Sequence, residues 1–441
     1  MGWYRKVIGL FIVFLSWISH INALEKVQNS REENASFHQN FTWNLVDTIR
    51  LSDFGAKGNG EDETGKIQLA LNAAVGKVLL ISKQNGKYYL SGQLVIPSNI
   101  KIFFEKGAVF LAKNNLKQGS SNAEVLFKFE SSENVVFDGN GAVFKMNKDK
   151  YSGQFNHIIM VNGARNITIK NVKALNAGGD GFYIGAVRTK RLASENIRIY
   201  NCVAKNNRRQ GMSVTSVNGL YVEGCEFSNT SGTLPEAGVD IEPGAPNYVL
   251  EKIHFKSCLA KGNNGRGFQV ILIKSGAKSN SVDITFEECN AIGNDIGFSN
   301  RYFVEGSKGQ VRMINCIAEN SKGPGFWEGS CAASGARKEY YNCTAINNGV
   351  DTRFATVKNT SGFGISNFPK RQKKILGNSI FVGCKTIDNR KLQITDYGIY
   401  IMDKASFRNI VIEKFVSKGH IKKDVGVKLQ DISVNKVDLS N

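Results

Sequence analysis

The stretch Asn196-Ile-Arg-Ile-Tyr-Asn-Cys202, continuing through Val203-Ala-Lys-Asn-Asn-Arg-Arg-Gln to Gly211-Met212, decides the fold. A run in which isoleucine alternates with polar residues ends in a cysteine. A small residue and asparagines follow, and a glycine before an apolar residue opens the next run. The same order of residues recurs on both sides. Upstream stands Asn166-Ile-Thr-Ile-Lys-Asn-Val172, leading to Gly181-Phe182. Downstream come Gly219 to Cys225 with Gly238-Val239, Lys252 to Cys258 with Gly267-Phe268, Asp283 to Cys289 with Gly297-Phe298, and Gln310 to Cys316 with Gly325-Phe326. The marker glycines 181, 211, 238, 267, 297 and 325 are spaced by 30, 27, 29, 30 and 28 residues. A period near 29, with two or three short strands per unit, predicts a coil of parallel strands and argues against a sandwich or a propeller blade.

The cysteines follow the same period. Cys202, Cys225, Cys258, Cys289, Cys316, Cys343 and Cys384 each end a strand, and Cys331 alone stands outside the pattern. Stacked coils set equivalent residues about 4.8 Å apart, so the column predicts an inward ladder of reduced thiols rather than a disulfide framework. The column Asn206, Asn263, Asn294, Asn320, Asn347 and Asn389 predicts a hydrogen-bonding ladder that closes turns.

The repeat also explains the composition. A chain of 441 residues would ordinarily hold several domains, but one continuous stack accounts for the length, and 45 Gly against 6 Pro supply its punctuation. Hydrophobic residues make up 41% and charged residues 22%, which excludes wholesale disorder. The formal charge of +19 points to a polyanionic partner. Met1 to Lys6 carry two basic residues, Val7 to Ile18 is apolar, and Ile21-Asn22-Ala23 suits cleavage, so residues 1–23 read as a secretion signal and 24–48 as an extension before a domain at 49–441. The apolar run is shorter than the roughly 20 residues that span a bilayer, so no membrane span is expected. Export, to the outside, the periplasm or the cell surface, disfavours nucleic acid and leaves an acidic polysaccharide as the expected partner. The sequons at Asn34, Asn40, Asn166, Asn229, Asn342 and Asn359 matter only in a glycosylating host.

Upstream of the repeat, Asp53-Phe-Gly-Ala-Lys-Gly-Asn-Gly60, the acidic residues to Glu63 and a helical stretch from Ile67 to Ala74 resemble the amino-terminal cap of the pectate-lyase-like superfamily. Asn85 to Leu90, Ile96 to Ile100 and Val135 to Gly141 add to the resemblance, which covers most of residues 50–400. It implies an all-β, single-stranded right-handed parallel β-helix, a β-solenoid, with a short N-terminal capping helix. The superfamily includes polygalacturonases, rhamnogalacturonases, polysaccharide lyases, epimerases and phage tailspikes, so it implies the fold and leaves the reaction open. The polygalacturonase Asn-x-Asp, Asp-Asp and His-Gly pattern, the calcium-binding Asp set of pectate lyases and the Asp-Pro-His-Glu of alginate epimerases are all missing.

Strand alternation then places a site. The residue after each marker glycine is apolar and points inward, so the residues two and four after the glycine face outward. These positions are Tyr183 and Gly185, Ser213 and Thr215, Asp240 and Glu242, Gln269 and Ile271, Ser299 and Arg301, and Trp327 and Gly329, expected as an exposed stripe. Asp240 and Glu242, about 6.5–7 Å apart at Cα, suit the carboxylate pair of a glycosidase, one as acid and the other as base or nucleophile. An ion pair with Arg301 or Arg266 is the bland alternative. Asp180 is a third candidate carboxylate and Glu236 a spare acid. Arg209, Arg266 and Arg301, with Gln269, are expected to bind the anionic chain, and Tyr183 and Trp327 to stack on sugar rings. His157 and His254 lack metal-ligand spacing, so no metal and no cofactor is expected, with calcium left open. Three readings follow: hydrolysis of a uronate-containing or sulfated polysaccharide, a lyase or epimerase working through Arg or Lys, and a non-catalytic glycan-binding or adhesion β-helix. The oligomeric state is left open.

Overall fold

The computed structural model describes residues 47–441, apart from 85–86, 120–121, 188, 191, 351–359, 368–374, 403–406, 422, 428–432 and 438–441. The expected signal at 1–23, nearly all of the extension 24–48, and the sequons Asn34, Asn40 and Asn359 therefore lie outside the described residues. Thr48–Asn441 forms one compact unit.

Each coil contributes three strands, as in Ser194–Tyr200, Val203–Lys205 and Gln210–Val214. Strands of the first two kinds join into a 25-stranded sheet, and those of the third kind form a separate sheet of 12 strands. Pairing is parallel and follows the repeat, so Ile197 lies between Ile167 and Leu220, and Met212 between Phe182 and Val239. The result is the all-β parallel β-helix that the period implied. Its interior is continuous, and the stacked rings of Phe268, Phe298, Phe326 and Phe363 run along it with centroids 5.0, 4.9 and 4.6 Å apart.

The marker glycines are required by close approach. A Cβ on Gly211, Gly238, Gly267 or Gly297 would lie 2.5, 2.6, 2.6 or 2.4 Å from the carbonyl oxygen of the next marker glycine. No side chain fits there without moving backbone. The cysteines fill the opposite role as small buried residues. All eight are buried free thiols, and each of the seven in the column reaches a carbonyl of the preceding coil, for example Cys289 Sγ to Phe255 O at 3.4 Å.

The asparagines divide into two columns where one was expected. Asn206, Asn320 and Asn347 adopt left-handed backbone at φ 56°, 53° and 52° and turn the chain. Asn263 and Asn294 instead belong to an inner column with Asn207 and Asn348, whose amides are buried and bond across coils, Asn263 Nδ2 donating to Asn294 Oδ1 at 2.8 Å. Alternation explains the split, since these positions are consecutive in the turn and point opposite ways.

The capping helix runs from Thr64 to Ala73, three residues ahead of its expected start, because Asp62 accepts the backbone N–H of Thr64 at 3.1 Å and holds the first turn. Ile67, Ala70 and Leu71 are its buried face. Gln68 donates to Val95 O at 2.8 Å and accepts from Val95 N at 2.8 Å. Leu94–Val95 is the terminal strand of the 12-stranded sheet, so this side chain occupies the hydrogen bonds a further strand would take.

Candidate functional site

The expected stripe exists as a register column. Tyr183, Ser213, Asp240, Gln269, Ser299 and Trp327 are successive partners across the 12-stranded sheet. Its exposure is corrected, however. Asp240, Gln269, Ser299 and Trp327 are buried although they lie on the outer face, because long side chains from neighbouring coils fold over them. Alternation fixes which face a residue takes and says nothing of what covers it.

Asp240 is 3% exposed and accepts from two amides, Gln210 Nε2 at 3.0 Å on one oxygen and Gln269 Nε2 at 3.0 Å on the other. Burial raises its pKa above the usual carboxylate range, against the opposing charge of Arg209. Glu242, half-buried, is raised by burial and then by the charge of Asp240, while Lys274 pulls the other way. Asp180 is fully buried, and its carboxyl is raised by burial to about 6. Arg209 Nη1 lies 3.2 Å from Asp180 Oδ2 and 3.2 Å from Ser213 Oγ. Desolvation disfavours the Arg209 charge, yet Asp180 and Asp240 together hold its pKa above the ordinary value. Of the three carboxyls, Asp180 alone contacts the guanidinium, and Asp240 and Glu242 act on it through their charge.

The other expected residues are distributed along the same face. Arg301 makes no hydrogen bond to Asp240. It donates to Gln269 Oε1 at 3.4 Å and to Tyr302 OH at 2.8 Å, and its guanidinium lies over the rings of Tyr302 and Trp327. Arg266 faces Asp295 at 3.8 Å. Tyr183 is fixed rather than free, its OH 3.1 Å from Thr215 Oγ1 and its ring stacked on His157 at 4.9 Å. Trp327 is no exposed sugar platform, since its indole N–H donates to Ser366 Oγ at 3.0 Å and the ring is 2% exposed. Glu236 closes its own loop, accepting from Gly232 N at 2.6 Å.

His157, set aside in the sequence for want of metal spacing, belongs to this cluster. Its Nδ1 accepts the backbone N–H of Asp180 at 3.0 Å. Burial, then Arg209, lowers its pKa to about 3, so the ring is neutral with its proton on Nε2. The contact joins residues 23 apart through a loop, which no local pattern signals. Gln210, adjacent to Arg209 in the segment before the marker glycine, binds a carboxylate of the chain itself, Asp240. Among the described residues no group of three or more His, Cys, Asp or Glu is placed to hold a metal, and no helix is long and apolar enough to cross a membrane.

Chemically, the face offers carboxyls with raised affinity for protons beside fixed amide and guanidinium donors. That combination suits proton transfer.

Among proteins of similar sequence, an uncharacterized SPbeta prophage-derived protein (YorA) of Bacillus subtilis strain 168 is 25% identical over 187 residues, covering 39% of this chain and 31% of that protein. An endo-polygalacturonase of Pectobacterium parmentieri is 22% identical, covering 53% of this chain and 74% of its own length. The chain spans about a third of the length of the Bacillus subtilis relatives it matches. Among solved structures, the A-module of an Azotobacter vinelandii mannuronan C-5 epimerase superposes with a TM-score of 0.68 at 14% identity, over 89% of this chain and 99% of that one. A polygalacturonase of Erwinia carotovora gives 0.51 at 12% identity, over 88% and 96%. At such identities the likeness is one of fold. The sequence profile of the family described as right handed beta helix region matches residues 102–333, more than half of the chain. The chain therefore belongs to the right-handed β-helix family.

Proposed function

We propose that this chain is an exported carbohydrate-active enzyme that cleaves an acidic polysaccharide by hydrolysis. The observation that carries the reading is the buried carboxyl of Asp240, held by two amides with Glu242 two residues along the chain, beside the Asp180–Arg209 pair, each carboxyl raised by burial. Glu242, whose affinity for its proton is raised by burial and by the charge of Asp240, is the acid that donates to the leaving oxygen. Asp240, whose oxygens receive two amide donors that favour the ionised form, acts as base or nucleophile. Asp180 anchors Arg209, and Arg209 meets the anionic chain. An Arg209 base, the route a lyase or epimerase would take here, is disfavoured by the raised pKa of that guanidinium.

The test is incubation of purified protein with uronate-containing and sulfated polysaccharides. New reducing ends without unsaturated products support hydrolysis, unsaturated products support elimination, and binding without turnover supports a non-catalytic module. Asp240→Asn and Glu242→Gln are each expected to lower cleavage by about 10²–10⁴-fold with the fold retained. Full activity in the double variant would remove the pair from the mechanism.

A further inference from the structure

Beyond Gln269 the face carries two guanidinium groups with donors left over from their protein partners. Arg301 donates to Gln269 and Tyr302, both neutral. Arg266 has Asp295 at 3.8 Å, beyond hydrogen-bond length. The Nε of Arg266, the Nε of Arg301 and the hydroxyl of Ser299 are all buried without a hydrogen-bond partner. Ser299 is fully buried, on the outer face between Gln269 and Trp327. The hydrogen bond to Gln269 folds Arg301 back over this column, and Arg266 approaches from the other end of the same pair of strands. Burial, then the charge of Arg301, holds Arg266 below the usual arginine range, so the two cations feel one another. Buried guanidinium and hydroxyl donors left without an acceptor call for one, and an anion supplies it to the cations as well.

We propose that Arg266, Ser299 and Arg301 form a pocket for a single oxyanion substituent, a carboxylate or a sulfate, carried by the glycan. The proposal rests on the glycan reading of this face and specifies where the anionic group is read. Ser299 lies two strand spacings from Asp240, roughly 10 Å along the stack. The two guanidinium forks supply paired N–H donors and Ser299 supplies a hydroxyl, a set that neutral sugars leave unsatisfied. The pocket is therefore a specificity determinant joined to Asp240 through Gln269.

Trp327 provides the readout, since Arg301 lies 5.6 Å from its ring and it is the one tryptophan beyond residue 43. The full chain is titrated with sodium sulfate and with sodium glucuronate at constant ionic strength, with chloride as control and Trp327→Phe to assign the signal. A saturable change in Trp327 emission is expected. Arg301→Gln and, independently, the milder Ser299→Ala should each weaken it about tenfold or more, the size of a charge-assisted hydrogen bond. A response no different from chloride, or one unchanged in both variants, overturns the pocket. A second arm compares binding of a uronic-acid oligosaccharide, its carboxyl-reduced counterpart and a sulfated oligosaccharide of equal length. Preference for one or both anionic forms, lost in Arg266→Gln, supports the proposal and identifies the substituent. Equal binding of the carboxyl-reduced form overturns it. Capture of the small oxyanions with no binding of any oligosaccharide overturns instead the glycan reading on which the proposal rests.

Discussion

Gln269 links the carboxyl of Asp240 to the guanidinium of Arg301, with Nε2 3.0 Å from Asp240 Oδ1 and Oε1 3.4 Å from Arg301 Nη1. The amide is oriented by both neighbours, so Asp240 and Arg301 are coupled through one side chain. Replacing Gln269 with Leu removes a donor that favours ionised Asp240 and leaves one carboxylate oxygen buried without that bond. The pKa of Asp240 is expected to rise further, moving the acid limb of the pH–activity profile to higher pH. Folding stability at neutral pH should fall by about 1.5–3 kcal/mol, measured by urea unfolding. An unmoved acid limb counts against Asp240 as the base.

Lys274 acts on the other limb. It is exposed, donates to Gly244 O at 3.0 Å, and lowers the pKa of Glu242 against the effects of burial and Asp240. In Lys274→Met that influence is gone, so Glu242 holds its proton to higher pH and the alkaline limb shifts upward. Added salt should reproduce part of the shift in the native protein and none in the variant, because an exposed charge is screened. A downward shift is incompatible with Glu242 as the acid.

His157 and Asp180 pull stability in opposite directions. The histidine is neutral in the fold, with its pKa lowered from 6.5 to about 3, so its contribution is lost as pH falls from about 6.5 toward 3. Asp180 is raised from 3.8 to about 6, so the folded state binds the extra proton and stability is lost as pH rises through that interval. The two slopes, each up to about 1.4 kcal/mol per pH unit, oppose one another between roughly pH 4 and 6. His157→Gln should expose the falling slope and Asp180→Asn the rising one, read from urea unfolding across a pH series. Parallel curves for the two variants would show that these groups do not titrate as a buried pair.

Inside the stack, Lys338 Nζ lies 3.7 Å from Glu328 Oε2, both side chains sealed from solvent. Ser379 donates to Glu328 at 2.7 Å, and Asn300 donates to Tyr340 at 2.9 Å. Removing one member strands a charge. Lys338→Met alone should lower stability by about 3–5 kcal/mol, and the paired change Lys338→Met with Glu328→Leu by much less than the sum of the two singles. Additive losses would show that the pair does not interact.

The sequence made the period, the inward thiol column and the register of the outer column readable, because all three rest on alternation repeated every coil. It left unread whatever crosses between coils through long side chains. Arg209 and Gln210 stand side by side in the chain, yet one meets Asp180 in the preceding coil and the other Asp240 in the following one. Trp327 took the expected face, and its contact with Ser366, 39 residues away, removed it from solvent. Glu328 and Asn300 did carry a signal, being polar at the inward third position after their marker glycines, where the other coils place Ile184, Val214, Ile241 and Val270.

The side chain of Gln68 matters at a scale larger than one molecule. A solenoid has no geometric reason to stop, since each coil presents the next with a ready template, and a second copy of the chain is as good a continuation as another repeat. By occupying both backbone groups of Val95, one amide on the capping helix denies that template to a newcomer at this end of the 12-stranded sheet. At that edge the same helix that covers the core with Ile67, Ala70 and Leu71 also closes the strand with Gln68.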